Sequence, residues 1–263
     1  MSPSDMATLA KKYAELHRDD MYLEPRERAT SWHAHELCHV CGSCILRGER
    51  SEHCPRKLTL DQMTLLDDGV WGPARNIISF TGGDLACQPE FYARAAKEIK
   101  DLGMGLWVLF ETNGYGLTPR NLDLFSEAGI DSFWLDIKAY DEKVHKNLTG
   151  ASNNWILKLP SEIVDKRFTL EVSSVYIPGW VETDQLKSIA ALLAQVNPEI
   201  PYAIIAFIPE NKMREVPPPN FQQMLQAFEA AKDAGLRKVK LGNLGMFVKS
   251  SEEYETLAKV DAI

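Results

Sequence analysis

Three cysteines lie within seven residues in the first fifth of the chain. Cys38, Cys41 and Cys44 are each separated by two residues, in the stretch HELCHVCGSC. Thiolate sulfur is a soft ligand that selects zinc or iron–sulfur clusters. The spacing matches the first three cysteines of a bacterial ferredoxin segment, in which a fourth follows after three residues and precedes proline. We therefore favour a metal centre over three unligated core cysteines, because the surrounding loop is polar.

The fourth ligand of such a centre has several candidates. Cys54 precedes Pro55, but nine residues separate it from Cys44; as a fourth thiolate it would make the chain an iron–sulfur electron carrier or sensor. Zinc would need a closed tetrahedral site, for which the chain offers further donors close by; these are His33, His35, His39, His53 and Cys54. If only three thiolates bind a [4Fe–4S] cluster, one iron is open to a substrate or cofactor.

Apolar runs rich in β-forming residues alternate with helical patterns from residue 76 onward. The runs are 76–80, 106–110, 132–137, 168–177, 202–208 and 238–242. Strands separated by helices predict a parallel sheet that is buried on both faces. A strand begins about every 30 residues, which indicates about six βα units. The expected fold class is α/β, either a partial (β/α)6 TIM-type barrel with outer helices or a doubly wound sheet.

The residues that follow these strands are polar or glycine-rich. They read TGGD (81–84), ETNG (111–114), DIK (136–138), IPG (177–179) and IPEN (208–211). Taken singly, each is an ordinary turn or a structural ion pair. The carboxyl ends of parallel strands meet at one edge of a sheet, where α/β folds place their chemistry. Together they predict a binding site at this edge.

Composition and length narrow the function classes. The chain has 263 residues with a formal net charge of −8, which disfavours nucleic acid as a partner. No run of about 18 apolar residues is present, so we expect neither a membrane span nor a signal peptide. Crowded cysteines fit a reducing, cytoplasmic location. We expect two segments, an N-terminal helix and linker over 1–30 and the barrel over 31–263. Ser4 or Asp5 is the expected cap of the helix, and one face of the helix carries Met6, Leu9, Tyr13 and Leu16.

Five stretches, in this order, resemble the radical S-adenosylmethionine (SAM) superfamily. They are SFTGGD, ETNG, WLDIKAYDEKVHKNLTG, VYIPGW and AGLRKVKLGN. Within the superfamily the chain is most similar to the activating enzymes of pyruvate formate-lyase and their archaeal-type relatives. The resemblance extends from about residue 31 to about 245. Each motif is weak alone, whereas their order and spacing are specific.

The resemblance implies a set of site residues. Cys38, Cys41 and Cys44 would hold three irons of a [4Fe–4S] cluster, and SAM would chelate the fourth. Asp136 and Lys138 are the implied catalytic pair. A monovalent cation would lie beside the SAM carboxylate on Glu111, Thr112 and Asp136, where it offsets the clustered carboxylates. The implied cofactor-binding residues are Gly82, Gly83, Asp84, Glu111, Thr112, Asn113, Asp136 and Lys138.

The resemblance also implies a reaction. A low-potential donor of the ferredoxin or flavodoxin type would reduce the cluster, and SAM would be cleaved to methionine and a 5′-deoxyadenosyl radical. The radical would abstract hydrogen from a substrate, which is either a glycyl site on a protein or a small molecule.

The chain departs from the activating-enzyme pattern at several positions. The family spaces its cysteines C-x3-C-x2-C, and its Gly-Gly-Glu stretch ends here in Asp84. The activases carry an arginine on the strand that here contains Glu171, Ser173 and Ser174. Cys87 lies near the predicted site and is more simply explained as a thiol without a role. No second cysteine-rich domain follows.

Overall fold

The structure, a computed structural model, describes residues 1–16, 63–65, 71–73, 77–82, 84 and 88–263. Its α-helices are α1 (Pro3–Leu16), α2 (Pro89–Asp101), α3 (Pro119–Glu127), α4 (Glu142–Thr149), α5 (Leu159–Asp165), α6 (Thr183–Val196), α7 (Phe221–Asp233) and α8 (Ser251–Lys259). Its strands are β1 (Met63–Leu65), β2 (Trp71–Pro73), β3 (Ile77–Phe80), β4 (Trp107–Thr112), β5 (Ser132–Asp136), β6 (Thr169–Tyr176), β7 (Tyr202–Ala206) and β8 (Val239–Gly242). In this part of the chain, no helix combines the length and apolar character needed to cross a bilayer.

Six strands form one parallel sheet in the order β3-β4-β5-β6-β7-β8. Each strand pairs with the next one along the chain, as in a (β/α) barrel, whereas a doubly wound sheet would reverse its strand order. The expected α/β fold with a partial TIM-type barrel topology is therefore confirmed, and so are the six strands. A short antiparallel pair, β1 with β2, was not expected from the sequence.

The chain divides into two compact units. The first contains α1, β1 to β4, α2, α3, most of α5, β5 through Leu135, and β6 through Glu171. The second contains Asp136, α4, β6 from Val172 onward, and the remaining helices and strands of the sheet. The expected boundary near residue 30 lies outside the described residues, so that domain division stays a prediction.

Aromatic side chains form the core of the first unit. The rings of Phe80 and Phe110 stack with their centroids 4.8 Å apart, and Phe110 stacks on Phe125 of α3 at 5.6 Å. Phe133 of β5 meets Phe168 edge-on at 5.0 Å. Such ring pairs add to the free energy gained from burying apolar area. This layer fixes β3, β4 and β5, and therefore the positions at which their carboxyl ends emerge.

Helix α1 is present as expected, and Met6, Leu9 and Tyr13 of its predicted face line one cavity together with residues of β3. The fully buried positions of the helix are nonetheless alanines, Ala7, Ala10 and Ala14, whereas Leu9 is 53% exposed. Helix α1 packs against α2. The cap also differs, because the Ser2 hydroxyl accepts from the Asp5 N–H at 3.2 Å and Asp5 Oδ2 accepts from the Ser2 N–H at 2.6 Å.

Helices α6 and α7 pack together and form much of the core of the second unit. Their buried side chains recur at helical spacing; they are Gln185, Leu186, Ile189, Ala190 and Leu193 of α6, and Met224, Ala227, Phe228 and Ala231 of α7. In the first unit, Thr118 caps α3 by accepting from the Asn121 N–H at 3.2 Å.

Candidate active site

The carboxylate of Asp84 joins the end of β3 to the end of β4. Asp84 Oδ2 accepts from the Thr112 hydroxyl at 3.0 Å and from the Asn113 N–H at 2.9 Å. The Thr112 hydroxyl oxygen in turn accepts from the Gly114 N–H at 3.0 Å. Two successive residues of the ETNG turn, 28 and 29 positions away in sequence, therefore bind one carboxylate, and Gly114 joins them through Thr112.

Asn113 lies exposed on this turn with a fixed side chain. Its Oδ1 accepts from the Tyr115 N–H at 2.9 Å, which is an Asx turn. Gly114 adopts a φ of +81°, a conformation that glycine reaches without a side-chain clash. Because Oδ1 is bound within the turn, the side-chain amide presents its Nδ2 donor on the exposed side.

Glu111 is bound by two hydroxyls of β3 and its following residue. The Thr81 hydroxyl donates to Glu111 Oε2 at 2.6 Å, and the Ser79 hydroxyl donates to Oε1 at 3.3 Å. Gly82 follows with a φ of +101°, and no described atom lies within 4 Å of the position where a side chain would begin. Glycine is therefore required at residue 82 for its backbone conformation, and the described atoms leave the backbone accessible to a ligand.

In the second unit, Asp136 and Lys138 form an ion pair. The Lys138 ammonium donates to Asp136 Oδ2, and both side chains are about one-third exposed. Asp136 Oδ1 is buried and has no hydrogen-bond partner among the described residues. A buried acceptor without a partner is costly, and such an atom commonly meets an ion, a water or a ligand.

Two side-chain amides hold the backbone just after Lys138. Asn153 donates from Nδ2 to the carbonyls of Ala139 at 3.0 Å and Tyr140 at 2.7 Å. Gln185 of α6 accepts at Oε1 from the Tyr140 N–H at 3.2 Å and the Asp141 N–H at 3.0 Å.

Gln185 also reaches the turn after β6. Its Nε2 donates to the Trp180 carbonyl at 2.9 Å, so both ends of one amide tie two strand-end loops together. Ser174 of β6 secures the same region, because its hydroxyl donates to the Ile137 carbonyl at 2.7 Å. Ser174 is thus engaged with the backbone on the strand where the activating enzymes carry an arginine.

Tyr202 of β7 is fully buried in the second unit. Burial raises the pKa of its phenol, and the negative charge of Asp136 raises that pKa further. Both causes disfavour a second negative charge near Asp136.

The comparison with known protein families gives a single assignment. The family model described as "Radical SAM superfamily" matches residues 39–193, which is more than half of the chain. The chain belongs to the radical SAM superfamily. This confirms the resemblance inferred from the strand-end motifs and the expectation of a radical SAM type of enzyme. The cofactors of this family are an iron–sulfur cluster and SAM.

Curated relatives are named as activating enzymes. A protein of Methanocaldococcus jannaschii, named "Putative glycyl-radical enzyme activating enzyme", is 32% identical over 158 residues, which cover 59% of this chain and 58% of that protein. Pyruvate formate-lyase 1-activating enzyme of Escherichia coli (strain K12) is 27% identical over 113 residues, which cover 41% of this chain and 43% of that enzyme. The matches therefore span less than two thirds of either relative.

A solved structure supports the fold. A domain of pyruvate-formate lyase-activating enzyme from Bacteroides vulgatus ATCC 8482 superposes with a TM-score of 0.53 at 22% identity, over 63% of this chain and 98% of that domain. At this identity the likeness concerns the fold alone, and it agrees with the sequential parallel sheet.

The radical SAM site residues predicted from sequence fall into three groups. The first unit brings Asp84, Thr112 and Asn113 into one hydrogen-bonded cluster, holds Glu111 on Ser79 and Thr81, and contains Gly82 just after β3. The second unit pairs Asp136 with Lys138. The remaining predicted residues, with the candidate alternative ligands, lie outside the described residues; they are Gly83, Cys38, Cys41, Cys44, Cys54, Cys87, His33, His35, His39 and His53. In the part of the chain that is described, no three histidine, cysteine or acidic side chains form a metal-binding group.

Sequence reasoning missed Asn153 and Gln185. The partners of both amides are distant in sequence. Asn153 binds Ala139 and Tyr140, which lie 14 and 13 positions earlier, and Gln185 binds Tyr140 and Asp141, which lie 45 and 44 positions earlier. No motif signals an amide that acts over such separations. The activase-like segment did point to His145, which is buried and whose Nδ1 lies 2.9 Å from the Ala151 carbonyl, so its observed role is to hold the turn after α4.

Proposed function

We propose that this chain activates a glycyl radical protein by radical SAM chemistry. In this proposal Cys38, Cys41 and Cys44 hold a [4Fe–4S] cluster whose fourth iron binds SAM. The cluster and SAM together supply the one-electron cleavage that yields methionine and a 5′-deoxyadenosyl radical. That radical removes hydrogen from a glycyl residue of a partner protein.

One observation carries the proposal: relatives named as activating enzymes match a chain whose radical SAM family match, residues 39–193, contains most of the ordered strand-end motifs. The relative from Methanocaldococcus jannaschii is 32% identical over 158 residues. Fold likeness alone would not specify a reaction, because one fold serves many chemistries. The motifs indicate the class of reaction, and the names of the relatives support the choice of a glycyl substrate over a small molecule.

The first unit supplies backbone and amide donors in this proposal. Gly82, Gly83 and Asp84 contact the SAM amino group mainly through backbone atoms. Asn113 offers its Nδ2 donor to the methionine or ribose portion, since its Oδ1 is already bound to the Tyr115 N–H. Glu111 and Thr112 serve as oxygen donors for a monovalent cation.

The second unit supplies charge in this proposal. Lys138 donates to SAM from its ammonium, and Asp136 orients that ammonium through the ion pair. The buried Oδ1 of Asp136 fits a cation or a ligand donor, because it has no other partner among the described residues. Asp136 and Lys138 therefore act as the catalytic pair by binding and orienting, and the cofactor carries the bond cleavage.

The proposed partners follow from this chemistry. A low-potential donor of the ferredoxin or flavodoxin type would supply the electron, and the protein substrate would present its glycyl residue to the site. The proposed setting is the cytoplasm, where thiols are kept reduced.

Product analysis tests the reaction. The protein is reconstituted anaerobically with iron and sulfide, reduced with dithionite and mixed with SAM. We expect 5′-deoxyadenosine and methionine in equal amounts, and a [4Fe–4S]⁺ electron paramagnetic resonance signal that changes shape when SAM is added. The Cys41→Ala variant is expected to yield neither product.

The same spectra separate the alternatives. A reduced-cluster signal that ignores SAM and is lost in Cys54→Ala would assign a fourth protein ligand and an electron carrier or sensor. Zinc without iron or sulfide in anaerobically purified protein would assign the zinc-stabilised alternative. A glycyl radical signal formed on a glycyl radical protein added to the reaction would establish the substrate class.

A further inference from the structure

We propose that the side chain of Asp84 is a positioning residue, which holds the ETNG turn in its ligand-binding conformation. This role differs from contact with SAM through the carboxylate itself. The inference rests on the proposed function for the identity of the ligand, whereas the hydrogen bonds that carry it lie within the first unit. It also gives a reason for the aspartate that stands where the family has glutamate.

The bonds of the Asp84 carboxylate are directed to the turn. Oδ2 accepts from the Thr112 hydroxyl at 3.0 Å and from the Asn113 N–H at 2.9 Å, and Oδ1 lies 3.3 Å from the same hydroxyl. Hydrogen bonds to an ionised acceptor are stronger than neutral ones. Asp84 therefore fixes both the side chain of Thr112 and the backbone of Asn113.

The effect extends to the two following residues. The Thr112 hydroxyl donates its proton to Asp84. This orients the lone pairs of the hydroxyl oxygen, which accepts from the Gly114 N–H at 3.0 Å. Asn113 then closes its own turn onto Tyr115. Loss of the carboxylate charge would weaken the first bond in this series and loosen the orientation of the exposed Asn113 amide.

The length of the aspartate matters for this role. Asp84 Oδ2 reaches both donors at normal hydrogen-bond distances, whereas a glutamate adds one methylene between the backbone and the carboxylate. If the carboxylate only contacted a ligand, replacing Asp84 by the family's glutamate would leave the turn unchanged. If it holds the turn, Asp84→Glu is expected to disturb Thr112 and Asn113.

Residue-resolved amide hydrogen exchange tests the contact without SAM. In the reconstituted protein, Asp84→Asn is expected to raise the exchange rates of the Asn113 and Gly114 amides about tenfold or more. Asp84→Glu is expected to raise them as well. Asp101→Asn, which removes an exposed carboxylate paired with Lys97 on α2, serves as the matched control and is expected to leave these rates unchanged.

A double-mutant cycle on SAM affinity tests the route of action. The dissociation constant for SAM is measured by anaerobic equilibrium dialysis for wild type, Asp84→Asn, Thr112→Val and the double variant. We expect each single variant to weaken binding by about tenfold, and the double variant to weaken it by clearly less than the product of the two losses, because each single variant already removes the Asp84–Thr112 hydrogen bond.

The outcomes separate this inference from the proposed function. Wild-type exchange rates in Asp84→Asn, or multiplicative losses of SAM affinity in the double variant, would overturn the positioning role. Wild-type protein that fails to bind SAM would overturn the proposed function, while the exchange rates would still decide whether Asp84 holds the turn.

Discussion

The two units hold their strand ends by different means. In the first, the carboxylates of Asp84 and Glu111 accept from hydroxyls and an N–H of neighbouring strand ends. In the second, neutral amides of Asn153 and Gln185 hold the backbone, while Asp136 and Lys138 pair with each other.

The difference separates two tasks. In the first unit the residues that hold the turn are also candidate SAM ligands, so a substitution changes geometry and charge together. In the second unit Asn153 and Gln185 hold the loop, and Asp136 and Lys138 carry the charge. Geometry and charge can therefore be changed one at a time in the second unit, which makes it the better place to measure each.

The largest expected effect comes from removing charge in the second unit. Lys138→Met deletes the ammonium that pairs with Asp136 and leaves that carboxylate without its cation. In the proposed function, we expect the rate of 5′-deoxyadenosine formation to fall by about 100-fold or more. The measurement is single-turnover product analysis under anaerobic reduction.

The matched control for Lys138→Met is Lys143→Met. Lys143 is an exposed residue of α4, so this variant loses the same charge at a position away from the strand end. Its rate is expected to equal that of wild type. Equal losses in both variants would show that overall charge matters and the Asp136–Lys138 pair does not.

A smaller effect is expected from removing the hydrogen bonds that hold the loop in the same unit. Gln185→Leu leaves two backbone N–H groups and the Trp180 carbonyl without their partner. We expect the free energy of unfolding to fall by about 2–3 kcal/mol, measured by urea denaturation. Gln185→Glu keeps the acceptor and loses only the donor, so its loss should be smaller.

Gln226→Leu on the exposed side of α7 is the control for Gln185→Leu, and we expect its unfolding free energy to stay within about 0.5 kcal/mol of wild type. A similar loss in Gln226→Leu and Gln185→Leu would mean that glutamine-to-leucine changes act on the helices in general. The assigned role of the Gln185 amide would then be wrong.

The same contrast explains what the sequence could predict. The strands were predictable because burial on both faces leaves continuous apolar runs, and the strand-end motifs follow those runs directly. The ion pair of Asp136 with Lys138 was foreseen only as one alternative for the DIK stretch, because β5 ends at Asp136 and Lys138 lies in the loop beyond it. Gln185 was not, because its partners are 44 and 45 residues away and a single polar residue on an amphipathic helix carries no signal.

Helix α1 shows a second limit. Its helical spacing was recognised, but the predicted apolar face included Leu9, which is exposed. Met6, Leu9 and Tyr13 do share one side of the helix, where they line a cavity beside β3, but the fully buried positions are alanines. Hydrophobicity ranks leucine above alanine, so apolar spacing alone does not identify which positions of a short helix become fully buried.

The smallest expected effect concerns the buried phenol of the second unit and appears only at high pH. Burial raises the pKa of Tyr202 above that of an unfolded tyrosine, which is about 10, and the charge of Asp136 adds to the increase. Stabilisation from the neutral phenol is therefore complete below about pH 10 and is lost as the pH rises above it. The slope contributed by one such group is about 1.4 kcal/mol per pH unit.

Tyr202→Phe should remove this contribution, so the difference in unfolding free energy between wild type and variant should shift in favour of the variant as the pH rises from 9.5 to 11, on the order of 1 kcal/mol. Tyr115→Phe, at an exposed tyrosine of the first unit, should show no such shift. A pH-independent difference for Tyr202→Phe would mean that the phenol ionises as readily in the folded protein as in the unfolded chain. Burial and the charge of Asp136 would then be wrong as causes of a raised Tyr202 pKa.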